Sequence, residues 1–234
     1  MQRHDGSIGS SYKSPHNQRE PKARRIGYEM KPTVSQKNNP LFTNGENFQM
    51  NACVGDNGGP YGLFDYGKGF FEAGHAVVKA AREMVAPVDL LVYPAAFSYR
   101  HGIELLLKEL VLLLNRVLET GDEFKKNHKM NELWSDVEKL TGAMPEKLIE
   151  YEAVARAGQL IGHFDAFDPT GQVFRYPEDI KGNRHLAEHK LINVEVLHQQ
   201  MKELQDILER WCCQVAEYRD WQLERHAETS SFMS

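Results

Sequence analysis

The sequence predicts an all-α protein, an antiparallel bundle of about five helices with a largely disordered N-terminal segment. The run from Val88 to Leu118 is apolar on nearly every face and too long for a strand, since strands usually span about 4–8 residues. The last part of the chain spaces apolar residues three and four apart, as one helical face requires. Short connections separate the helical segments, except at 163–191, which favours antiparallel neighbours.

Residues 1–60 are rich in Ser, Asn, Gly, Gln and Pro and show no sustained period. Such a composition buries too little apolar surface to fold alone, so we expect a disordered or loosely attached segment. The helical bundle is expected over 63–225. We expect residues 226–234 to form a frayed tail.

Charge is distributed unevenly along the chain. The formal net charge is −5, and residues 1–40 carry eight Lys and Arg against three Asp and Glu, which leaves −10 for the remainder. An acidic body does not suit binding of nucleic acid by bulk charge. The basic head, with Lys22, Arg24 and Arg25, is interpreted as a solvated tail, and weak phosphate affinity is the alternative.

Composition also indicates the compartment. The apolar run of 88–118 is interrupted by charges, unlike a membrane span, and the N-terminus lacks the apolar segment of a secretory signal. The three cysteines, Cys53, Cys212 and Cys213, form neither a disulfide framework nor a zinc pattern. We therefore expect a soluble cytoplasmic protein without membrane contact, cofactor or metal.

The first two helices are delimited by capping and breaking residues. Asp65 is a plausible N-cap for the first helix, and Pro87 ends it. The second helix runs to about Leu118, with Pro94 in its first turn, where the missing N–H is not needed. Thr120-Gly121-Asp122 breaks it. A short strand over 48–54, before the first helix, is the only β element that we consider.

The last three helices follow turn signals. Asn131 begins the third helix and Gly142 ends it, and Pro145 begins a fourth that ends at about Gly158 or Ile161. Asn193 is a good cap for the fifth. Its apolar seam packs against another helix, within the chain or across a dimer. The seam consists of Val194, Leu197, Met201, Leu204, Leu208, Trp211, Val215 and Tyr218.

Four polar residues form one stripe on the second helix. Arg100, Glu104 and Lys108 follow one another at i,i+4, and His101 lies at i,i+3 from Glu104, so opposite charges are adjacent. Charges on a buried helix must be paired or must face a site. The stripe is therefore either a structural ion-pair ladder or a catalytic site.

The segment RHLAEH, 184–189, allows three interpretations. Arg184 and His189 could cleave RNA together, the histidine moving a proton and the arginine neutralising the charged phosphorane. HLAEH is also a literal H-x-x-E-H zinc pattern, which requires a helix and a third ligand. The third interpretation is a solvated connector.

Two further motifs contain candidate substrate-binding residues. In FRYPED, 174–179, an arginine between two aromatic residues suits a lid that points Arg175, with Tyr176 beside it, toward the bundle; the alternative is an aromatic plug that anchors the loop. His128 precedes the third helix. It faces the polar stripe or serves as a solvated cap.

Three motifs in this order, SYRHGIELLLKEL (98–110), NHKMNELW (127–134) and FRYPED (174–179), resemble those of small bacterial HEPN-like proteins (higher eukaryotes and prokaryotes nucleotide-binding). The resemblance covers about 65–220. It implies a four- or five-helix bundle that pairs as a homodimer. Arg100, His101, Glu104 and His128 match recurrent polar positions of the family.

The resemblance also implies two functions. Many family members are metal-independent endoribonucleases of toxin–antitoxin, phage-defence or abortive-infection systems, which act on RNA and pair with a cognate antitoxin or defence partner. Others are non-catalytic modules that bind a partner protein or a nucleotide. The ribonuclease signature of the family is Arg, four to six residues, then His, and Arg184 and His189 match it, with His185 as the polar residue after the arginine. Lys129 departs from an acid that is frequent in the second motif.

Overall fold

A computed structural model of the chain describes residues 39–55, 57, 61–121, 128–144 and 148–232. Within these residues the backbone forms five α-helices and no strand, which confirms the all-α prediction. The basic head with Lys22, Arg24 and Arg25 lies outside the described residues. The helices are α1 (Leu63–Arg82), α2 (Val88–Leu118), α3 (Met130–Thr141), α4 (Tyr151–Phe167) and α5 (Val194–Phe232).

The chain divides into two units, with the boundary between Ala52 and Cys53. In the first unit Phe48–Met50 forms a 3-10 helix, within the stretch 48–54 where a short strand is the sequence-based alternative. The five helices belong to the second unit. None of the helices in the described ranges combines the length and apolar character needed to cross a membrane.

Helix α2 lies at the centre of the bundle, in contact with α1, α3 and α5. Most of its residues after Val92 are buried, as its apolar sequence predicts. It already begins at Val88, so Pro94 lies in its second turn and not in the first. The carbonyl that loses its hydrogen bond there belongs to Leu90, a residue 64% exposed, and water can therefore satisfy it.

The contacts between α1 and α2 show an antiparallel pair. Gly67 faces Leu106, whereas Gly74, further along α1, faces Tyr99, which lies earlier in α2. A Cβ atom on Gly74 would lie 2.5 Å from Cε1 of Tyr99, so the absence of a side chain there allows the close approach. The short connection between the two helices agrees with this arrangement.

Helix α5 is also antiparallel to α1, because Lys68 pairs with Glu209 and the later Arg82 pairs with the earlier Glu195. Helices α2 and α5 therefore run parallel. The apolar seam of α5 packs against the core of its own chain, as in an ordinary bundle helix. Its buried members are Val194, Met201, Leu204, Leu208, Trp211 and Val215, and Leu197 and Tyr218 are partly buried against the same core.

Several helix ends differ from the prediction. Gly62 is the N-cap of α1, and Asp65 lies three residues later, where its carboxylate accepts the Gly62 N–H at 2.9 Å. Helix α4 begins at Tyr151 and continues to Phe167. The predicted start at Pro145 lies outside the described residues. The long connection is therefore 168–193.

The N-cap of α5 is as predicted, since Asn193 Oδ1 accepts the N–H groups of Glu195 and Val196 in the first helical turn. That helix continues past Arg225 to Phe232.

Candidate functional site

The charged residues of the polar stripe lie inside the bundle. The side chains of Arg100, Glu104 and Lys108 are 5%, 2% and 10% exposed. Glu104 accepts a hydrogen bond from Lys108 Nζ at 2.7 Å and one from Arg100 Nη1 at 3.2 Å. The i,i+4 spacing thus forms the predicted ion-pair ladder, and each buried charge has a partner, as burial requires.

Arg100 also connects α2 to two distant segments. Its Nη2–H donates to the carbonyl oxygen of His128 at 3.0 Å, ahead of α3. Its Nε–H donates to the carbonyl oxygen of Asp168 at 3.3 Å, and Nε lies 3.6 Å from the buried Asp168 carboxylate. That carboxylate also accepts the backbone N–H groups of Gln172 and Val173. One guanidinium therefore holds α2, the start of α3 and the loop after α4 together.

Gly171 allows the loop to approach this guanidinium. Its φ is +73°, a region that favours glycine, and a Cβ atom there would lie 2.8 Å from Cζ of Arg100. An added methyl group would displace the guanidinium from its buried partners. The packing of the loop against α2 therefore depends on a glycine at this position.

Substitution Gly171→Ala is expected to lower the free energy of unfolding by about 1–3 kcal/mol, through backbone strain and displacement of Arg100. Gly182→Ala is the matched control, because Gly182 has a φ of +81° and open space around its Cα. Urea denaturation of both variants measures the difference. Equal losses of unfolding free energy in the two variants would show that the contact between Gly171 and Arg100 does not contribute to stability.

Glu104 also orients a histidine. His128 Nδ1 lies 2.7 Å from Glu104 Oε1, and since a carboxylate only accepts, the ring donates Nδ1–H. The His128 side chain is 76% exposed. Burial opposes ionisation of Glu104, but the hydrogen bonds from Lys108 and His128 outweigh it and lower the pKa of the carboxyl. An ionised carboxylate thus fixes an exposed imidazole, whose neutral form carries its lone pair on Nε2.

These groups border a cleft of about 260 Å³, here named the α2 cleft. Its lining residues are Phe97, Arg100, His101, Glu104, His128, Thr170, Gly171, Gln172 and Arg175. Five of the predicted site residues are therefore together in one cleft: Arg100, His101, Glu104, His128 and Arg175. His128 faces the polar stripe, which was one of its two predicted positions.

The cleft has an aromatic wall. The His101 ring packs edge-on against Phe70 at 4.4 Å and parallel to Phe97 at 6.1 Å between centroids. Burial lowers the pKa of His101, which favours its neutral form at pH 7. The Arg175 guanidinium lies 5.5 Å from the Phe97 ring centre and 5.4 Å from that of Tyr176. The α2 cleft thus brings together a neutral imidazole (His101), an imidazole oriented by Glu104 (His128), two guanidinium groups and flat aromatic faces.

The FRYPED motif contains an anchoring aromatic residue and an arginine directed at the bundle, and its action as a lid stays a prediction. Phe174 is buried and packs against Phe164 and Phe167, so it anchors the loop. The next residue, Arg175, points to α2. Of the remaining predicted residues, Lys108 lies buried beside Glu104, and Tyr176 lines a neighbouring cleft together with Arg184.

Arg184 and His189 lie apart from the α2 cleft. Arg184 is exposed and pairs through its backbone with Glu178, and the exposed His189 packs its ring against Phe167 at 4.5 Å. HLAEH forms turns and not a helix, so the interpretation as a zinc motif is wrong. Among the described residues no three His, Cys, Asp or Glu side chains are grouped as metal ligands.

Asp168, Gly171 and a second pair with the Arg/His spacing are not among the residues predicted from the sequence. Asp168 holds Arg100, but a lone Asp before a proline carries no spacing signal. Arg156 and His163 on α4 also satisfy the Arg, four to six residues, His spacing. There Arg156 pairs with Glu203 of α5, and His163 lines a separate apolar cleft.

Comparisons of the chain with family models, curated proteins and solved structures find no match. The HEPN-like resemblance of the three motifs stays a prediction. The residues of the α2 cleft and their contacts are therefore the basis on which a function can be proposed.

Proposed function

We propose that this chain is a HEPN-like, metal-independent endoribonuclease and that the α2 cleft is its active site. The observation that carries the proposal is the hydrogen bond between buried Glu104 and exposed His128 in a cleft that also contains Arg100 and Arg175. A carboxylate-oriented histidine next to guanidinium groups supplies proton transfer and charge stabilisation without a metal.

The chemistry assigns one role to each group. His128 Nε2 takes the proton of a ribose 2′-OH, whose oxygen attacks the adjacent phosphorus. The Glu104 carboxylate stabilises the imidazolium that forms, which then protonates the leaving 5′ oxygen. Arg175 neutralises the negative phosphorane. Neutral His101, parallel to Phe97, supplies a flat face for an unstacked base.

Homodimer formation and a cognate antitoxin or defence partner belong to the same proposal, since the resemblance implies both. In such a dimer two α2 clefts would act on one RNA. The acidic body does not attract RNA by bulk charge, so recognition depends on the local groups of the cleft.

The decisive experiment incubates the purified protein with total RNA and with tRNA in EDTA. His128→Ala is expected to lower the cleavage rate about 10²–10⁴-fold, because it removes the proton-transfer group. His189→Ala is the matched control, an exposed histidine outside the cleft, and is expected to cut like the wild type. The reverse pattern would move the active site to Arg184 and His189. Absence of cleavage by folded wild-type protein would contradict the proposal.

The second candidate is a non-catalytic module that binds a partner protein or a nucleotide. An apolar cleft of about 410 Å³ beside α4 and α5 favours it, because Leu191 and Val196 on its rim are 94% and 56% exposed. This candidate predicts that no RNA is cleaved and that the product of a neighbouring gene shifts the protein on a sizing column.

A further inference from the structure

A second polar cluster lies where α1, α2 and α5 meet, outside the α2 cleft. It contains His75 of α1, Tyr99 of α2 and His198 of α5. The two Nδ1 atoms are 3.0 Å apart, and the Tyr99 hydroxyl lies 2.9 Å from the first and 3.1 Å from the second. Three donor atoms from three helices thus form a nearly equilateral triangle.

Gln205 fixes which ring nitrogen of His75 faces the cluster as a donor and which as an acceptor. Its amide Nε2–H donates to the carboxylate of Glu209 at 2.6 Å, so its Oε1 is the atom that faces the histidine. His75 Nε2 lies 2.6 Å from that oxygen and must donate to it. In a neutral ring Nδ1 then carries a lone pair, which is directed into the triangle.

The three donor atoms carry too few protons for a hydrogen bond along every edge of the triangle. With no proton on His75 Nδ1, only the Tyr99 hydroxyl and His198 Nδ1 can contribute one each. One of the three edges therefore lacks a proton. A bound cation would accept lone pairs from all three atoms at once, which removes this deficit.

We propose that His75, Tyr99 and His198 bind a divalent first-row transition-metal ion through Nδ1, the phenol oxygen and Nδ1. The centre of this triangle lies about 1.7 Å from each of the three donor atoms. This distance is shorter than a metal–nitrogen bond of about 2.1 Å, so one ion fits above the plane of the triangle and not within it. The angles between ligands are then about 90°, which suits Ni²⁺ or Cu²⁺ better than tetrahedral Zn²⁺.

The surroundings support this assignment. Both histidines are half-buried, so water can complete the coordination, whereas Tyr99 is fully buried and its ring is held against Gly74. The hydrogen bond from His75 to Gln205 orients the ring in the way that outer partners orient metal-binding histidines. The triangle is separate from the α2 cleft and takes no part in the proposed cleavage.

Titration calorimetry of the full chain with NiCl₂ tests the proposal. We expect one ion per chain for the wild type and loss of this binding event in His75→Ala and His198→Ala. Tyr99→Phe keeps the ring and removes the oxygen, and Gln205→Leu removes the orienting partner. Each is expected to weaken binding about 10–100-fold.

His163→Ala and His189→Ala are the matched controls, since both change a histidine outside the triangle, and they are expected to bind Ni²⁺ like the wild type. Circular dichroism in EDTA identifies variants that fail to fold. If the histidine variants unfold, Tyr99→Phe and Gln205→Leu decide the question. Unchanged affinity in these two, or no stoichiometric binding by the wild type, would overturn the proposal.

Discussion

Arg100→Met should lower the free energy of unfolding by about 3–5 kcal/mol, because it leaves the buried carboxylate of Asp168 without its cation. Asp168, 1% exposed, loses its only charged partner among the described ion pairs, and Glu104 loses one of its partners. Methionine keeps most of the apolar stem of arginine, so the loss reports the charge. Urea denaturation at pH 7 measures it.

Arg156→Met is the control for this experiment. Arg156 pairs with Glu203 of another helix, as Arg100 pairs with Asp168 of a distant loop, but the Arg156 and Glu203 side chains are 34% and 41% exposed. Solvent screens such a pair, so we expect a loss of at most about 1 kcal/mol. Equal losses for both variants would show that burial of the stripe does not decide its contribution.

Leu110→Ala is expected to lower the free energy of unfolding by about 3–5 kcal/mol, the cost of a cavity at the centre of a core. Leu110 is fully buried on α2, the helix that contacts α1, α3 and α5. Thermal and urea denaturation measure the loss. The size of the effect tests whether α2 is the central helix of the bundle.

Leu90→Ala is the matched substitution on the same helix. Leu90 is 64% exposed near the N-terminus of α2, where alanine leaves no cavity and has the higher helix propensity. We expect a change within about 0.5 kcal/mol. A comparable loss at both positions would contradict the central position assigned to Leu110.

The helices were predictable from the sequence because their apolar periods are long and sustained. The end of α2 at Leu118 and the Asn193 cap of α5 agree with the prediction, since the first closes a long apolar run and the second rests on a local side-chain bond. The start of α1 was misplaced, because a carboxylate can bond the backbone from N3 as well as from the N-cap. Such local alternatives differ too little in energy for the sequence to distinguish them.

The candidate site was predictable to the extent that its residues share one helix. Arg100, Glu104 and Lys108 were identified because i,i+4 spacing places them on one face. Asp168 and Gly171 were not, because their roles depend on where a loop distant in sequence folds back. For the same reason the sequence could not show that the triangle atoms of His75 and His198 come together, as these residues lie on different helices.

The parallel arrangement of α2 and α5, with α1 antiparallel to both, has a consequence for biosynthesis. The α1–α2 hairpin leaves the ribosome complete, but the apolar surface that it shares with α5 stays uncovered until the chain beyond Val194 emerges. Contacts that span so much sequence raise the contact order and slow folding. Nascent chains that end before α5 should therefore be the species that engage chaperones during translation.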